Sequence, residues 1–498
     1  MVKAATGSER HEGGTSSLSD RRWLLVGATA IGAFMVPFDG SVVAIALPKI
    51  GPALHLGFVG ALWVQLSYLL VLTVALIPSG RLADTFGGLR LYRLGLVVFG
   101  LASAACGAAP SLSLLLTARC VQGLGAALVS ATSTALVTEA FPGAERGKAL
   151  GLNVTAVYLG LSLGPVLGGL LTEQVGWRSI FYVNVPVAAT SLMLGRRLWS
   201  ARHSERGRSG PAGLDLGGIG LFIGALAAEM VGVSFASVWG WTAPTTLSLT
   251  VCGAIGVIGF VTYESRRSKP FLDVGLFRRS RLFATANLAA LANYVAFAAV
   301  TVLTSVFLEV VDGRSPEQAG LFLISTPVVM VALSWLSGRA SDLIGSRWLA
   351  SGGMAVIGAG LILLSRLPTH PSVVRLVGDL VVVGIGMAAF SSPNTSAVMG
   401  SVPRPQLGVA SGTLGTMRFL GQALSIGVLG ALATSRLGAG GQAVLLTGRA
   451  HGTAVASAYV AGYHLAMVTG AGVALVGSIA SLTRPSHGQA MRLPPGQI

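Results

Sequence analysis

Fourteen long apolar runs, each about the length that crosses a bilayer, constrain this chain more than any other feature. They fall near residues 23–47, 60–80, 91–109, 111–138, 148–171, 179–195 and 216–236, then near 246–263, 283–308, 317–336, 348–365, 373–399, 408–433 and 457–482. A hydrocarbon core offers no water to backbone N–H and C=O groups, so each run must satisfy them internally as an α-helix. The expected fold class is all-α integral membrane. Composition agrees: with 52% hydrophobic and 10% charged residues over 498 positions, the charges are too few to solvate a globular surface. The net charge of +16 would indicate nucleic acid in a soluble protein, but here the basic residues fall between apolar runs and form no continuous face. The expected partner is the lipid bilayer, not nucleic acid.

Loop charge gives the orientation, because Lys and Arg favour the cytoplasmic side. With an even number of spans and an internal N-terminus, only Lys49, Arg178, Arg314, Arg366, Arg375, Arg436 and Arg449 fall outside. Arg119 and Arg418 lie within spans, and the remaining basic residues lie inside. The alternation predicts a multi-pass plasma-membrane protein with cytoplasmic tails at 1–22 and 483–498. The apolar run behind the first tail is too long for a signal-peptide core. Cys106, Cys120 and Cys252 lie in apolar runs without Cys-x-x-Cys spacing, so they read as buried small hydrophobes and signal no metal site.

An internal repeat sets the domain organisation. Ser79-Gly80-Arg81-x-x-Asp84-x-x-Gly87 recurs as Ser337-Gly338-Arg339-x-x-Asp342-x-x-Gly345. Gly147-x-Ala149-x-Gly151 returns as Gly408-x-Ala410-x-Gly412 in nearly the same register. The spacing predicts two six-helix halves, 23–198 and 283–482, joined by a linker, 199–282, that carries two further helices. A parallel repeat places a substrate path between the halves, and one chain supplies both, so a monomer suffices.

Charges inside spans are costly and mark candidate sites. Arg119 lies about 12 Å below the outer end of its span, and Asp39 lies about 12 Å from the outer end of the first span at Leu47. If both spans line the central cavity, the two pair and proton uptake by Asp39 breaks the pair; otherwise Asp39 bonds only backbone. Asp379, 260 residues after Arg119, either faces the cavity from the second half or pairs locally with Arg375. Glu229 reads as an outer-interface residue and His464 as a hydrogen-bonded one. Arg418 lies about 15 Å into its span and needs a partner or a wet cavity, which the sequence does not name.

The segment from Gly80 through Arg81, Asp84 and Gly87 to Arg90 puts an acid between arginines in a tight turn at the inner surface. It resembles the signature loop between helices 2 and 3 of the major facilitator superfamily, although Gly88-Leu89 stands where the family has its second basic pair. The resemblance implies a gating role for Arg81 and Asp84, with Gly338, Arg339 and Asp342 as the second copy. Asp39-x-Ser41-Val42-Val43-x-x-Ala46-Leu47-Pro48 resembles the helix 1 signature of the fourteen-helix drug:proton antiporter branch, and the Arg119 segment resembles that family's arginine segment for proton transfer. In the fifth run, Gly160, Gly164, Gly168 and Gly169 with Pro165 combine a small-residue face with a natural bend. That string is similar to the antiporter motif separating exporters from symporters.

The resemblance implies a major facilitator fold of two six-helix halves plus two inserted central helices. It implies proton-driven efflux of small amphipathic organic molecules, drugs or antibiotics, with the proton gradient as energy source and no cofactor. The nearest alternative is an importer of a small metabolite in the same superfamily, against which the Gly164-Pro165 string argues. No Gly-x-x-x-x-Gly-Lys-Ser/Thr segment supports ATP hydrolysis, and scattered His and Cys offer no enzyme centre. Abundant Arg, Ala and Gly point to a GC-rich genome, which suits self-resistance by exporting a natural product.

Overall fold

The computed structural model describes residues 12–56, 58–141, 143–199, 215–267, 270, 272–437 and 454–484. The tails before residue 12 and after residue 484, and the start of the predicted linker, lie outside the described residues. Seven helices form the first group: α1 (Glu12–Ala53), α2 (Phe58–Phe86), α3 (Gly88–Ala108), α4 (Leu112–Ala140), α5 (Gly143–Gln174), α6 (Ser179–Tyr182) and α7 (Asn184–Trp199). A hairpin follows, α8 (Leu216–Trp239) and α9 (Pro244–Ser265), then the short α10 (Gly275–Arg279). The last group is α11 (Arg281–Val306), α12 (Pro316–Leu323), α13 (Ser325–Ile344), α14 (Ser346–Leu364), α15 (Val373–Gly400), α16 (Leu407–Thr434) and α17 (Ala454–Leu482). Among the described residues no strand occurs. Among the described residues thirteen spans are long and apolar enough to cross a membrane, and the shorter apolar helix Ser179–Gly195 brings the set to the expected fourteen. That sixth span breaks at Val183, because Pro186 lacks the N–H that would bond the Tyr182 carbonyl.

Two boundaries differ from the sequence reading. The first helix starts at Glu12, eleven residues before its apolar part, because no proline interrupts the backbone ladder where the chain leaves the lipid. The repeated Arg-x-x-Asp segments, expected as turns, are helical: α2 runs through Gly80, Arg81 and Asp84 to Phe86, and α13 runs through Gly338, Arg339 and Asp342 to Ile344. Only Gly87 (φ 98°) and Gly345 (φ 87°) make the turns, in a region of φ that suits glycine. Asp84 and Asp342 are therefore held on rigid last turns.

Within each half, α1 packs on α5, α3 on α4 and α2 on α4, mirrored by α11 on α16, α14 on α15 and α13 on α15. The halves meet through α5 against α13 and α2 against α16. One apolar core mixes residues of both halves, among them Leu72, Leu76 and Ala149 with Val398, Leu407 and Ala410. A second core, near Phe38, Ile50, Leu115 and Ile180, belongs to the first half alone. The halves are thus sealed at the end bearing Asp84 and Asp342, hereafter the gate end.

The hairpin packs α8 against both α2 and α16, covering the seam. Leu272, in the segment after α9, fills a small cluster with Ile77 of α2, Phe260 of α9 and Val409 of α16. Val251, Ile255 and Ile258 on the other side of α9 are exposed, as lipid-facing residues must be in a water-free surround. Cys252 is exposed on this helix too, whereas Cys106 is buried; the expectation of three buried cysteines fails because α9 has one packed face only.

Candidate functional site

Asp39 of α1 and Arg119 of α4 meet in a fully buried ion pair, with Arg119 Nη1 2.6 Å from Asp39 Oδ2 and neither side chain exposed. The second carboxylate oxygen, Oδ1, accepts from Gln122 Nε2 at 2.8 Å and from Asn184 Nδ2 at 2.7 Å. Arg119 also donates through Nε to the Val64 carbonyl (3.0 Å) and through Nη1 to Gln122 Oε1 (2.7 Å). Its guanidinium lies 4.3 Å from the centre of the Tyr68 ring. Gln122 completes the network by donating to Ser103 Oγ at 2.8 Å. Desolvating two charges is offset only by such saturation, and Arg119 Nη2 is the one nitrogen left without a partner.

Five helices build this cluster. Gln122 follows Arg119 by one turn on α4 and shares its face, a signal legible in the spacing. Asn184, Ser103 and Tyr68 come from α7, α3 and α2, and only the packing of those helices reveals them. The three glycines of the α5 string let that helix press on α1 beside Asp39. A Cβ at Gly160 would overlap the Phe34 carbonyl, one at Gly164 would overlap Ser41 Oγ, and one at Gly168 would lie 3.1 Å from Val42 Cα. Gly169 faces open space, and Pro165 is exposed.

At the gate end the two repeats explain each other. Asp84, on the last turn of α2, accepts from the backbone N–H of Gly408 (2.7 Å) and Val409 (2.9 Å) at the start of α16. Asp342, on the last turn of α13, accepts from the N–H of Gly147 (3.0 Å) and Lys148 (3.1 Å) near the start of α5. Asp84 thus caps the N-terminus of α16, where unpaired donors and the helix dipole favour an anion, and Asp342 holds two N–H groups in the second turn of α5. Glycine permits the crossing: a Cβ on Gly80 would strike the Gly408 carbonyl, and one on Gly338 would strike that of Gly147. Arg81 is half-buried beside Asp84, whereas Arg90 and Arg339 are exposed at this end.

The remaining candidates stand apart. Asp379 is buried in the second half with Oδ2 unpartnered and does not join the Asp39 cluster. Arg375 donates to the Arg366 carbonyl at 2.7 Å, and among the described residues it makes no ion pair with Asp379. Glu229 is half-buried on α8 and packs against Gly253 of α9. His464 Nε2 donates to the Leu367 carbonyl at 3.0 Å.

The sequence pattern of the Major Facilitator Superfamily matches residues 29–426. The chain belongs to the major facilitator superfamily. It is 38% identical over 413 residues to the multidrug resistance protein Stp of Mycobacterium tuberculosis, covering 83% of this chain and 76% of that protein. It is 31% identical over 405 residues to the riboflavin transporter RibZ of Clostridioides difficile, covering 81% and 86% of the two chains. The solved proton:xylose symporter XylE shares the fold, with a TM-score of 0.61 at 15% identity over 91% of this chain and 95% of that one. A major facilitator protein is a multi-pass transporter and not an enzyme. The carboxylates of Asp84 and Asp342 both bridge the two halves of this transporter.

Proposed function

We propose that the protein exports small amphipathic organic molecules, drugs or antibiotics among them, in exchange for protons by alternating access. The observation that carries this reading is the sealed Asp39–Arg119 pair, placed inside the half that the gates must release. A proton on Asp39 leaves Arg119 buried without its counter-charge, a state costing about 3–5 kcal/mol that is relieved only by moving α1 relative to α4. Loop charge makes the gate end cytoplasmic, so the described form is closed inward. The plasma membrane supplies the proton gradient, worth about 2.3 kcal/mol per charge per 100 mV. The glycine-and-proline string of α5, packed on α1 beside Asp39, supports a helix pair that moves as a unit. The name of the 38% identical relative agrees with drug export. One chain contains both halves, so we take the monomer as the working unit.

In inverted vesicles energised by a pH gradient, dyes and antibiotics should accumulate, each with proton release. Asp39→Asn should abolish both. Substrate movement insensitive to the gradient would remove the proton from the mechanism. A second reading, transport of a small metabolite, is favoured by the likeness to a riboflavin transporter. Accumulation of riboflavin with no movement of any dye or antibiotic would select it.

A further inference from the structure

Arg418 differs from Arg119 in having no counter-charge among the described residues. It lies on α16 ten residues beyond Gly408, and Tyr158 lies on α5 eleven residues beyond Gly147, so both stand about 15 Å above the gate contacts. At that height the Tyr158 hydroxyl of the first half meets the hydroxyls of Ser391 and Tyr294 of the second. Thr395 follows Ser391 by one turn of α15 and donates back to its carbonyl at 2.8 Å. Arg418 Nη2 donates to Thr395 Oγ1 at 2.6 Å. Gly421 keeps this site tight, since a Cβ there would lie 2.8 Å from Tyr294 Cβ.

The rest of the guanidinium is unspent. Of its five N–H donors, one finds an acceptor among the described residues, and the side chain is only half-buried. No carboxylate lies within ion-pair distance among those residues. Asp39 is consumed by Arg119, Asp84 is consumed by the α16 cap, and Asp379 is about 24 Å away along α15. A fixed, uncompensated cation at mid-membrane, beside two tyrosine hydroxyls at the meeting point of the halves, is a receptor for an anion.

We propose that Arg418, with Thr395, Tyr158 and Tyr294, binds the acidic group of an amphipathic organic acid in the transport path. This rests on the reading of the protein as an exporter of small organic molecules and names the substrate class. The planar fork matches a carboxylate in two-point contact, which an ammonium does not.

The test uses the purified full-length protein and a panel of aryl carboxylic acids, each beside its methyl ester, with binding followed by tryptophan fluorescence. At least one acid should bind about tenfold or more tightly than its ester, the ratio that corresponds to about 1.4 kcal/mol. Arg418→Gln should erase that preference by weakening acid binding about tenfold more than ester binding, and Arg418→Lys should retain part of it. If Arg418→Gln does not fold, the native protein and Arg418→Lys still decide. No acid binding more tightly than its ester, or equal loss of both in Arg418→Gln, overturns the proposal. Failure of every uncharged or cationic dye to move with protons in vesicles counts against the export reading alone, because the acid preference is measured without transport.

Discussion

At the residue scale, the cluster around Asp39 is defined by saturation: one carboxylate receives three side-chain donors from three other residues. Asp39→Asn preserves shape and removes the charge, leaving Arg119 buried and unpaired. Gradient-driven efflux in vesicles should fall at least about tenfold, and the thermal midpoint should drop, since breaking one side of a buried pair costs about 3–5 kcal/mol. Full gradient-driven efflux by this variant would falsify the coupling role. The pair itself was legible in the sequence, because two opposite charges in apolar runs at matching depth have few other partners. Asn184 and Tyr68 were not legible: nothing local tells which face of α7 or α2 turns inward, and a lone polar residue in a span has many possible neighbours.

At the element scale, close helix contact is a property of particular glycines and not of glycine content. Gly164→Leu drives a side chain into Ser41 on α1, and overpacking of this kind costs about 1–3 kcal/mol or more. Gly169→Ala meets nothing within 4 Å and should stay within about 0.5 kcal/mol of the native protein. Thermal unfolding in detergent separates the two, and equal effects would contradict the α1–α5 contact. The hairpin carries a pH-dependent element. Asp215, outside the span at the start of α8, accepts from Gly218 N–H, then from Tyr263, and faces Arg267 at 3.6 Å. The Gly218 N–H foremost, with the Tyr263 hydroxyl and Arg267, holds its carboxyl below the ordinary value of 3.8. A depressed acid adds stability that is present above the unfolded value and lost as pH falls through the folded one. Native protein should therefore be more heat-stable than Asp215→Asn at pH 6, with the gap closing below about pH 4. A gap that persists at acid pH would show that the carboxylate charge is not its source.

At the scale of the whole molecule, two acids placed by one repeat accept from backbone N–H groups of two helices placed by the other, so the gate end is closed twice by the same chemistry. Each hydrogen bond to a charged group contributes about 1.5–3 kcal/mol. Asp84→Ala with Asp342→Ala should therefore open the gate end in a much larger fraction of molecules. In a cysteine-free background, a cysteine replacing the buried Ser411 of α16 should react with maleimide faster from that end in the double variant; unchanged labelling would remove the gating role. The same double variant should keep a near-native midpoint for each half, because these hydrogen bonds cross between halves and not within them. The sequence by itself determined the class, the number of spans, the duplication and the depth of the intramembrane charges, because the bilayer penalises every unpaired backbone group and nearly every charge. The tertiary structure decided which repeat meets which, that the Arg-x-x-Asp segments end helices instead of forming turns, and that Arg418 meets Thr395 and, among the described residues, no carboxylate. Those depend on contacts between residues hundreds of positions apart, and a periodic pattern along one helix carries no information about the helix it will meet.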